Sequence, residues 1–346
     1  MGHAGPAVAT RTLTGPTLVK ATIAIPTYNG IEWIADVLDA CLQQAIDFEF
    51  EVLVIDSGST DGTVDAVRKR VAVRLHEIPS SSFGHGRTRN LAVELAQGEF
   101  VAFITQDAVP ANRFWLAELL RPFEIADKIA CVYGKQAPRP DCCPTVKRDV
   151  INHFRSFGPD HFVILQVDNP HLTSQAERDA LTYFSNVNSA VRRAAMKTVP
   201  FRDVAYSEDL ALGRDVIEAG LIKAYAPLAV VTHSHSYPLR AYFNRMYEEM
   251  RGLWLTTGRS IDTSLPRNVA IVVRGTVQDW RFILRDRAYS WPAKLKWLVQ
   301  APAYNVARRV AVRLARRPGL PAWAGRAMGR TAVPAPAPDA SPATRA

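Results

Sequence analysis

The chain has 346 residues, of which 48% are hydrophobic and 22% are charged, and these proportions are typical of a folded globular protein. Its formal net charge of +9 predicts an anionic partner, but charge alone does not choose among nucleic acid, phospholipid headgroups and a phosphorylated substrate. A membrane-spanning helix is not expected, because no run of about 18 apolar residues occurs. The four cysteines lack the paired spacing of a zinc or redox site and, without an export signal, indicate a reducing cytoplasm.

The first half of the chain repeats a unit made of a short apolar strand, a polar loop and an amphipathic helix. Residues 21–25 and 51–55 are the first two predicted strands. Repetition of this unit predicts a mostly parallel sheet with helices on both faces, whose loops meet at the carboxyl edge. The candidates for nucleotide binding in these loops are Pro26, Thr27, Tyr28, Asn29, Asp56, Ser57 and Gly58.

These loops are rich in residue types that can contact a nucleotide. Glycine and small hydroxyl residues let backbone N–H groups approach a phosphate or a base edge, and Asp56 can accept from an imide or a ribose hydroxyl. Capping of the next helix explains residues 59–61 equally well, but it leaves Asp56 without a role. We therefore predict that Asp56 contacts a nucleoside.

A third loop, after the predicted strand at residues 73–78, gathers positive charge at the start of a helix. A helix N-terminus favours anions, and an arginine there can bind a diphosphate through two parallel hydrogen bonds. Solvated surface arginines are the alternative interpretation. The candidates for diphosphate or sugar binding in this loop are His85, Gly86, Arg87, Arg89 and Asn90.

The apolar strand at residues 101–104 is followed by Gln106 and Asp107, which places polar groups at the same edge. Asp107 can anchor Mg²⁺ or Mn²⁺, because such ions take few protein ligands and complete their coordination with substrate phosphates. Capping of the helix beyond Pro110 is the alternative role for this aspartate. Gln106, and Asn188 in a strand predicted at 184–192, are further candidates for the diphosphate or the sugar.

Two polar clusters follow in the second half of the chain. Glu208 and Asp209 open a predicted helix, where a carboxylate can also serve only the helix dipole. Asp209, as the inner residue, is the candidate general base, with Glu208 beside it. His233 and His235 follow short strands predicted at 224–227 and 229–232, where a histidine can ligate a metal, bind phosphate or be structural.

The C-terminal part of the chain is helical and basic. Residues 239–257 and 291–317 are predicted amphipathic helices, and the second combines an apolar face with lysine, arginine and tryptophan. That combination suits anionic lipid headgroups. Helices packed on the rest of the protein, with a solvated basic face, are an equal alternative.

The predicted domain organisation has four parts. A main domain spans 18–240, with a nucleotide half at about 18–110 and an acceptor half at about 111–240, where helices are predicted at 145–157 and 175–183. A basic helical extension spans 241–317. The Gly/Pro-rich residues 1–17 and the Pro/Ala-rich residues 318–346 are expected to be disordered.

Taken in order, these motifs resemble those of family 2 glycosyltransferases of the GT-A fold, and within that family those of bacterial rhamnosyltransferases. The resemblance covers about residues 20 to 250. The resemblance rests on seven motifs: Ile25-Pro26-Thr27-Tyr28-Asn29, the segments 56–62, 83–90 and 105–110, Phe184-Ser185-Asn186, Glu208-Asp209 and His233-Ser234-His235. Any one of these motifs is weak, but seven in register are specific.

The resemblance implies an α/β GT-A domain with assigned roles for several residues. Those implied to hold the nucleoside are Pro26, Tyr28, Asp56 and Ser57. Asp107 is implied to hold the metal-bound diphosphate, and Asp209 to deprotonate an acceptor hydroxyl whose in-line attack inverts the anomeric centre. The usual Asp-x-Asp triad has Thr105 in its first position here, as in the rhamnosyltransferase pattern, so His233 is the candidate for another metal ligand.

The implied reaction is transfer of L-rhamnose from dTDP-L-rhamnose to a glycan, or to a glycan carried on a polyprenyl diphosphate lipid, in cell-surface polysaccharide and cell wall synthesis. Another nucleotide sugar such as a UDP-hexose, and a noncatalytic membrane- or nucleotide-binding protein, are the alternatives. A nucleotidyltransferase is disfavoured, because the loop after the first strand lacks a Gly-rich, basic sequence. We expect a cytoplasmic enzyme, peripheral on the inner face of the cytoplasmic membrane, with no nucleic acid partner.

Overall fold

The structure is a computed structural model, and it describes residues 19–158, 163–165, 181–204, 207–257 and 264–315. The segments predicted to be disordered, 1–17 and 318–346, lie outside the described residues, as does most of the helix predicted at 175–183. Within the described ranges, no helix combines the length and the apolar composition that a membrane crossing requires.

One mixed sheet forms the centre of the described structure. Its strands are β1 (Ala21–Thr27), β2 (Phe50–Asp56), β3 (Val73–Glu77), β4 (Phe100–Ile104), β5 (Val109–Pro110), β6 (Ile129–Ala137), β7 (Val163–Leu165), β8 (Asn188–Arg192) and β9 (Ile222–Thr232). Their order is β3-β2-β1-β4-β8-β6-β9-β5, and β7 pairs with β9. Because β8 is antiparallel to both β4 and β6, the strands β1, β2, β3, β4, β6 and β9 all end at one edge. The predicted, mostly parallel sheet is confirmed.

Helices cover both faces of this sheet, as predicted. They are α1 (Ile34–Leu42), α2 (Thr63–Arg68), α3 (His85–Leu95), α4 (Trp115–Leu120), α5 (Pro144–Arg155), α6 (Glu208–Glu218), α7 (Leu239–Thr257), α8 (Leu265–Arg285) and α9 (Trp291–Ala315). Side chains alternate between the faces along β1, so Ile23 and Ile25 pack with α1 and α4 while Ala24 packs with α3 and α6. Two apolar cores therefore hold the sheet between helices.

Strand β9 is longer than the sequence pattern predicted. The prediction of two short strands at 224–227 and 229–232 was wrong, because residues 222–232 form a single strand. Its pairing with β6 jumps from Gly134–Ala226 to Lys135–Val230, so three residues bulge out of the ladder. Pro227, which has no N–H to donate, lies in the bulge and explains why the sequence looked interrupted there.

The side chain of Asn188, the first residue of β8, fills this bulge. Its Nδ2 donates to the carbonyls of Lys135 at 3.0 Å and Ala229 at 2.7 Å, and its Oδ1 accepts from Trp115 Nε1 at 2.8 Å. A Cβ on Gly134 would lie 2.3 Å from Asn188 Nδ2, so only glycine fits beneath the amide. β8 begins here, four residues later than the strand predicted at 184–192.

The C-terminal helices pack together and against α5. Asp279 of α8 is fully buried, and it accepts hydrogen bonds from Thr145 at 2.9 Å and Asn305 at 2.6 Å. Arg148 of α5 forms an ion pair with the same carboxylate at 2.9 Å. The inner faces of α8 and α9 are thus fixed to the rest of the protein, which leaves their outer faces exposed.

Candidate active site

A cleft of about 780 Å³ opens at the carboxyl edge of the sheet. The predicted site residues that line it are Pro26, Thr27, Tyr28, His85, Arg89, Gln106, Asp107, Glu208, Asp209 and His233. These side chains lie at strand ends, in the first turns of α3 and α6, and in the segment after β9. The structure therefore brings together residues from five motifs that are far apart in the sequence.

Asp107 lies beside both histidines of the segment that follows β9. Its Oδ2 is 3.6 Å from His233 Nε2 and 3.3 Å from His235 Nε2, and ligand atoms of the three residues lie within 4.8 Å of one another. His233 Nδ1 is 3.1 Å from Gln136 Oε1. A proton on Nδ1 donated to Gln136 leaves Nε2 available to a cation, as is common for metal-ligating histidines.

The electrostatics of this cluster favour the protonation states that metal ligands need. Burial opposes ionisation of Asp107, but contact with His233 and electrostatic interaction with both histidines hold the pKa of its carboxyl well below the ordinary value. Burial and the neighbouring His233 lower the pKa of His235 to about 4. At neutral pH the carboxylate is ionised and the His235 imidazole is neutral, which are the ligating forms.

Glu208 is a buried anion at the first turn of α6. Its Oε1 lies 2.9 Å from Arg89 Nη1 and accepts from Asn186 Nδ2 at 3.1 Å. Burial opposes ionisation, but the charge of Arg89 and the hydrogen bond from Asn186 keep the pKa of Glu208 below its ordinary value. Glu208 is therefore a fixed negative charge rather than a proton acceptor.

The neighbouring Asp209 has the opposite character. It is half-buried, and one oxygen accepts from the Leu210 N–H at 2.8 Å. Burial and the negative charge of Glu208 raise the pKa of Asp209 to about 7, the range suited to a general base at neutral pH. Ser207, just before the pair, has a φ of +63°, a strained conformation for a residue with a side chain and one often found at functional sites.

Gln106 fixes the loop after β1. Its Oε1 accepts from the Tyr28 N–H at 2.8 Å and its Nε2 donates to the Tyr28 carbonyl at 3.1 Å. A Cβ on Gly30 would lie 2.6 Å from the same amide oxygen, so the close approach depends on glycine. The Tyr28 side chain, 52% exposed, is left to face the cleft.

Asp56 and its neighbours lie beside the cleft rather than on its lining. Asp56 is 1% exposed, and one oxygen accepts from the N–H groups of Gly58 and Ser59, both at 2.9 Å. The other oxygen accepts from Thr27 Oγ1 at 3.2 Å and also from the Ser59 hydroxyl. In this conformation Asp56 shapes the loop, as Asn29 does through its contact with the Thr60 N–H at 2.9 Å. Nucleoside binding by Asn29, Asp56, Ser57 and Gly58 stays a prediction.

Three predicted residues of α3 contact a neighbouring segment of the chain. Gly86 packs so closely that a Cβ would lie 2.0 Å from a carbonyl oxygen. Arg87 forms an ion pair with Asp203 at 3.1 Å. Asn90 donates to the Phe201 carbonyl at 2.8 Å and accepts from its N–H at 3.0 Å. Asn188 is similarly occupied in the β9 bulge, so ligand binding by these four residues stays a prediction.

Sequence reasoning missed several residues that the structure brings to the site. They are Gln136, Arg139, Arg245 and Glu249. Gln136 lies near the end of β6 and could have been found by the argument that selected Asp107, because both are polar residues at the carboxyl end of a strand. Arg245 and Glu249 are one turn apart on α7, and only tertiary packing turns this helix toward the cleft.

The structural comparison establishes the type of fold. A mannosyltransferase from Pyrobaculum calidifontis, solved in complex with GDP-Man and Mn²⁺, superimposes with a TM-score of 0.53 at 21% sequence identity. The superposition covers 88% of this chain and 92% of that one, so the two share the GT-A fold.

The sequence comparisons narrow the class to a family. The family model described as glycosyl transferase family 2 matches residues 22–199. O-antigen chain rhamnosyltransferase RfbN of Salmonella typhimurium is 33% identical over 237 residues, covering 66% of this chain and 71% of that protein. O-antigen chain rhamnosyltransferase WbaN of Salmonella anatum is 31% identical over 239 residues, which cover 66% of this chain and 70% of that protein. The chain belongs to glycosyl transferase family 2 and is a glycosyltransferase, as its motifs predicted.

Proposed function

We propose that this glycosyltransferase is an inverting, metal-dependent enzyme that transfers L-rhamnose from dTDP-L-rhamnose to a glycan hydroxyl. The observation that carries the proposal is that one cleft is lined both by Asp209, the candidate base, and by Asp107 and His233, the candidate metal ligands. A base for an acceptor and an anchor for a diphosphate are the two functions that direct transfer from a nucleotide sugar requires.

In the proposed reaction Asp209 accepts the proton of the acceptor hydroxyl. Its pKa of about 7 gives it useful basicity without keeping it protonated at neutral pH. The acceptor oxygen bonds to the anomeric carbon of the donor as the bond from that carbon to the diphosphate oxygen breaks. Attack from the face opposite the leaving group inverts the anomeric centre, and Glu208 maintains the raised pKa of the base.

The residues around Asp107 fit a divalent cation. They offer a carboxylate oxygen and the imidazole nitrogens of His233 and His235. Among the two predicted ions this set favours Mn²⁺, because Mg²⁺ strongly prefers oxygen ligands. When bound, the cation would offset the negative charge that develops on the departing nucleoside diphosphate. The Mn²⁺ in the similar mannosyltransferase structure supports this choice.

The names of the similar proteins support the proposed sugar. Both similar Salmonella proteins are named as O-antigen chain rhamnosyltransferases, which supports L-rhamnose as the transferred sugar. We propose a glycan on a polyprenyl diphosphate lipid as the acceptor, in cell-surface polysaccharide synthesis. The enzyme would then work at the inner face of the cytoplasmic membrane, where nucleotide sugars are available.

The test compares dTDP-L-rhamnose, UDP-glucose and GDP-mannose as donors for polyprenyl-diphosphate-linked oligosaccharides. We expect transfer from dTDP-L-rhamnose that requires Mn²⁺, and an inverted anomeric configuration of the product by NMR. The Asp209→Asn variant should lose about 10²–10⁴-fold in kcat, while an Arg121→Gln surface control keeps full activity. Preference for another donor would refute the sugar assignment. A retained configuration, or full activity in Asp209→Asn, would refute the mechanism.

A further inference from the structure

The outer faces of α8 and α9 form an exposed apolar surface that the chemistry of the cleft does not use. Each helix carries a row of five exposed apolar side chains with the same spacing, i, i+4, i+8, i+15 and i+19, which puts each row on one side of its helix. We call them together the apolar surface. Its members are Leu265, Val269, Val273, Trp280 and Leu284 on α8, and Trp291, Leu295, Val299, Val306 and Val310 on α9.

The two rows adjoin, because α8 and α9 pack against each other. Trp280 Nε1 of the first row donates to the Leu298 carbonyl at 2.8 Å, beside Val299 of the second row. The side chains are well exposed, with Val299 at 79% and Trp291 at 68%. Single exposed apolar residues are ordinary on a protein surface, but two adjoining rows are a mark of an interaction site.

Exposed basic residues flank the apolar surface. On α8, Arg274, Arg281 and Arg285 recur at i, i+7 and i+11 and are exposed in a row next to the apolar one. On α9, Lys296 and Arg313 are exposed. These five cations give the outer faces of both helices a positive charge.

No exposed acidic side chain offsets this charge on residues 264–315. The segment contains two acidic residues, Asp279 and Asp286. Asp279 is fully buried against α5, and Asp286 forms an ion pair with Lys147 at 2.6 Å. Charge complementarity therefore calls for an anionic partner.

Other basic residues of α9 have structural roles and do not belong to this surface. Lys294 is buried and donates to the Leu284 carbonyl at 3.0 Å. Arg308 contacts Asp149 and the Tyr242 hydroxyl. The positive charge of the outer face thus depends chiefly on the arginines of α8, a helix that the sequence pattern did not single out.

We propose that the apolar surface docks this enzyme onto an anionic phospholipid bilayer. Aliphatic and tryptophan side chains suit the boundary between headgroups and acyl chains, and arginine and lysine around them suit anionic headgroups. A second copy of the chain fits less well, because pairing the same surfaces would bring the two arginine rows together. Nucleic acid fits the charge but not the aliphatic side chains.

The docked surface is connected to the cleft through one helix. α9 packs along α7, and α7 contributes Arg245, Glu249 and Leu253 to the lining of the cleft. Docking would hold the acceptor side of the cleft at a fixed position relative to the membrane. The docking proposal rests on the proposed function for its purpose, because the proposed acceptor is linked to a lipid. Binding to the bilayer itself does not depend on which sugar is transferred, on the metal or on the base.

The experiment is sedimentation of the full chain with vesicles of phosphatidylcholine alone or of phosphatidylcholine mixed with phosphatidylglycerol. We expect binding to the anionic vesicles only, weakened by added salt. Arg274→Gln/Arg281→Gln/Arg285→Gln should bind the anionic vesicles about 100-fold more weakly, given the usual contribution of each surface cation. Val269→Ser/Val273→Ser/Leu284→Ser should bind at least about tenfold more weakly, because it removes inserted apolar area.

Matched controls separate this surface from the general basicity of the protein. Arg68→Gln/Arg113→Gln/Arg121→Gln removes the same charge from exposed positions outside the surface, and Val71→Ser/Ile125→Ser/Leu228→Ser removes comparable exposed aliphatic side chains. Both controls should bind like the wild type, and circular dichroism should show all variants folded. Equal losses in controls and test variants, or a solution dimer that the apolar test variant dissociates, would overturn the proposal.

Asp209→Asn separates docking from catalysis. This variant should bind anionic vesicles like the wild type while losing transfer activity, because Asp209 lies in the cleft and not on the apolar surface. Failure of vesicle binding with intact rhamnosyl transfer would overturn the docking proposal alone. Intact vesicle binding with no transfer from any donor would leave docking supported and refute the proposed reaction.

Discussion

Arg139 donates a hydrogen bond from Nη2 to the main-chain carbonyl of Asp107 at 2.7 Å. The same guanidinium donates from Nη1 to the carbonyl of Ser234 at 2.6 Å. It also stacks on the Trp33 ring, and its Cζ lies 3.7 Å from the ring centroid. Ser234 is the residue between the two histidines of the candidate metal site. A single side chain thus ties together the two chain segments that carry the candidate ligands and fixes their separation.

We expect loss of this connection to weaken metal binding. Arg139→Ala should reduce Mn²⁺ affinity about 10–100-fold, as is usual when groups that orient metal ligands are removed. Arg139→Lys should be almost as damaging, because an ammonium group cannot span two carbonyls and stack on an indole as a planar guanidinium does. Electron paramagnetic resonance of free Mn²⁺ measures the affinity without requiring turnover.

Arg121→Gln is the control for Arg139, since Arg121 is an exposed arginine outside the cleft. It should bind Mn²⁺ like the wild type. Unchanged Mn²⁺ affinity in Arg139→Ala, with the variant folded, would show that the ligand segments hold their positions without Arg139.

The raised pKa of Asp209 predicts opposite effects on stability and activity. A free aspartate loses its proton near pH 3.9, so between about pH 4 and pH 7 the folded protein holds a proton that the unfolded chain has released. The free energy of unfolding must therefore fall as the pH rises through this window. Above it, Asp209→Asn should be more stable than the wild type by on the order of 2 kcal/mol, although inactive.

Urea unfolding at several pH values tests this prediction. The stability difference between Asp209→Asn and the wild type should be small near pH 4, grow as the pH rises toward 7 and then level off. A difference that stays constant with pH would show that Asp209 has an ordinary pKa and is a poor candidate for the base.

The buried pair of Arg89 and Glu208 predicts a strong dependence of each residue on the other. Arg89→Met should lower the free energy of unfolding by about 3–5 kcal/mol, because it leaves a buried carboxylate without its partner. Arg89→Met/Glu208→Gln should recover part of this loss, because no uncompensated charge remains. Thermal and urea unfolding measure both variants, and additive losses in the double variant would contradict the coupling.

Glu208→Gln has a further effect on the pH dependence of the reaction. Removing the negative charge takes away one cause of the raised pKa of Asp209. The acidic limb of the pH profile of kcat/KM should then move to lower pH. A limb that does not move would mean that burial alone sets the pKa of Asp209.

A substitution at Asn188 distinguishes its predicted role, binding the diphosphate or the sugar, from its role in the fold, hydrogen bonding in the β9 bulge. Asn188→Ala leaves the Trp115 N–H and the two carbonyls of the β9 bulge without partners, and it should cost about 3–5 kcal/mol of stability. At a low temperature, at which the destabilised Asn188→Ala variant is still folded, its KM for the donor should equal that of the wild type. A raised KM with unchanged stability would instead support the predicted contact with the diphosphate or sugar.

The sequence by itself determined the repeated strand–loop–helix units, the mostly parallel sheet and the edge at which the candidate site lies. These features follow from hydrophobic periodicity and from turn residues, which are local properties of the chain. The same reasoning selected Asp107, Asp209 and His233 as candidates, because a polar side chain at the end of a buried strand or the start of a helix is visible in sequence.

Only the tertiary structure decided which of these polar residues share a cleft and which hold the fold together. Asn188 and Asp107 both lie at ends of neighbouring strands, yet Asn188 is buried in a bulge while Asp107 faces two histidines. The partners that decide such differences, such as a carbonyl in the β9 bulge or Arg139 beyond the end of β6, are distant in sequence. Burial, hydrogen-bond partners and pKa depend on those long-range contacts, so local pattern cannot supply them.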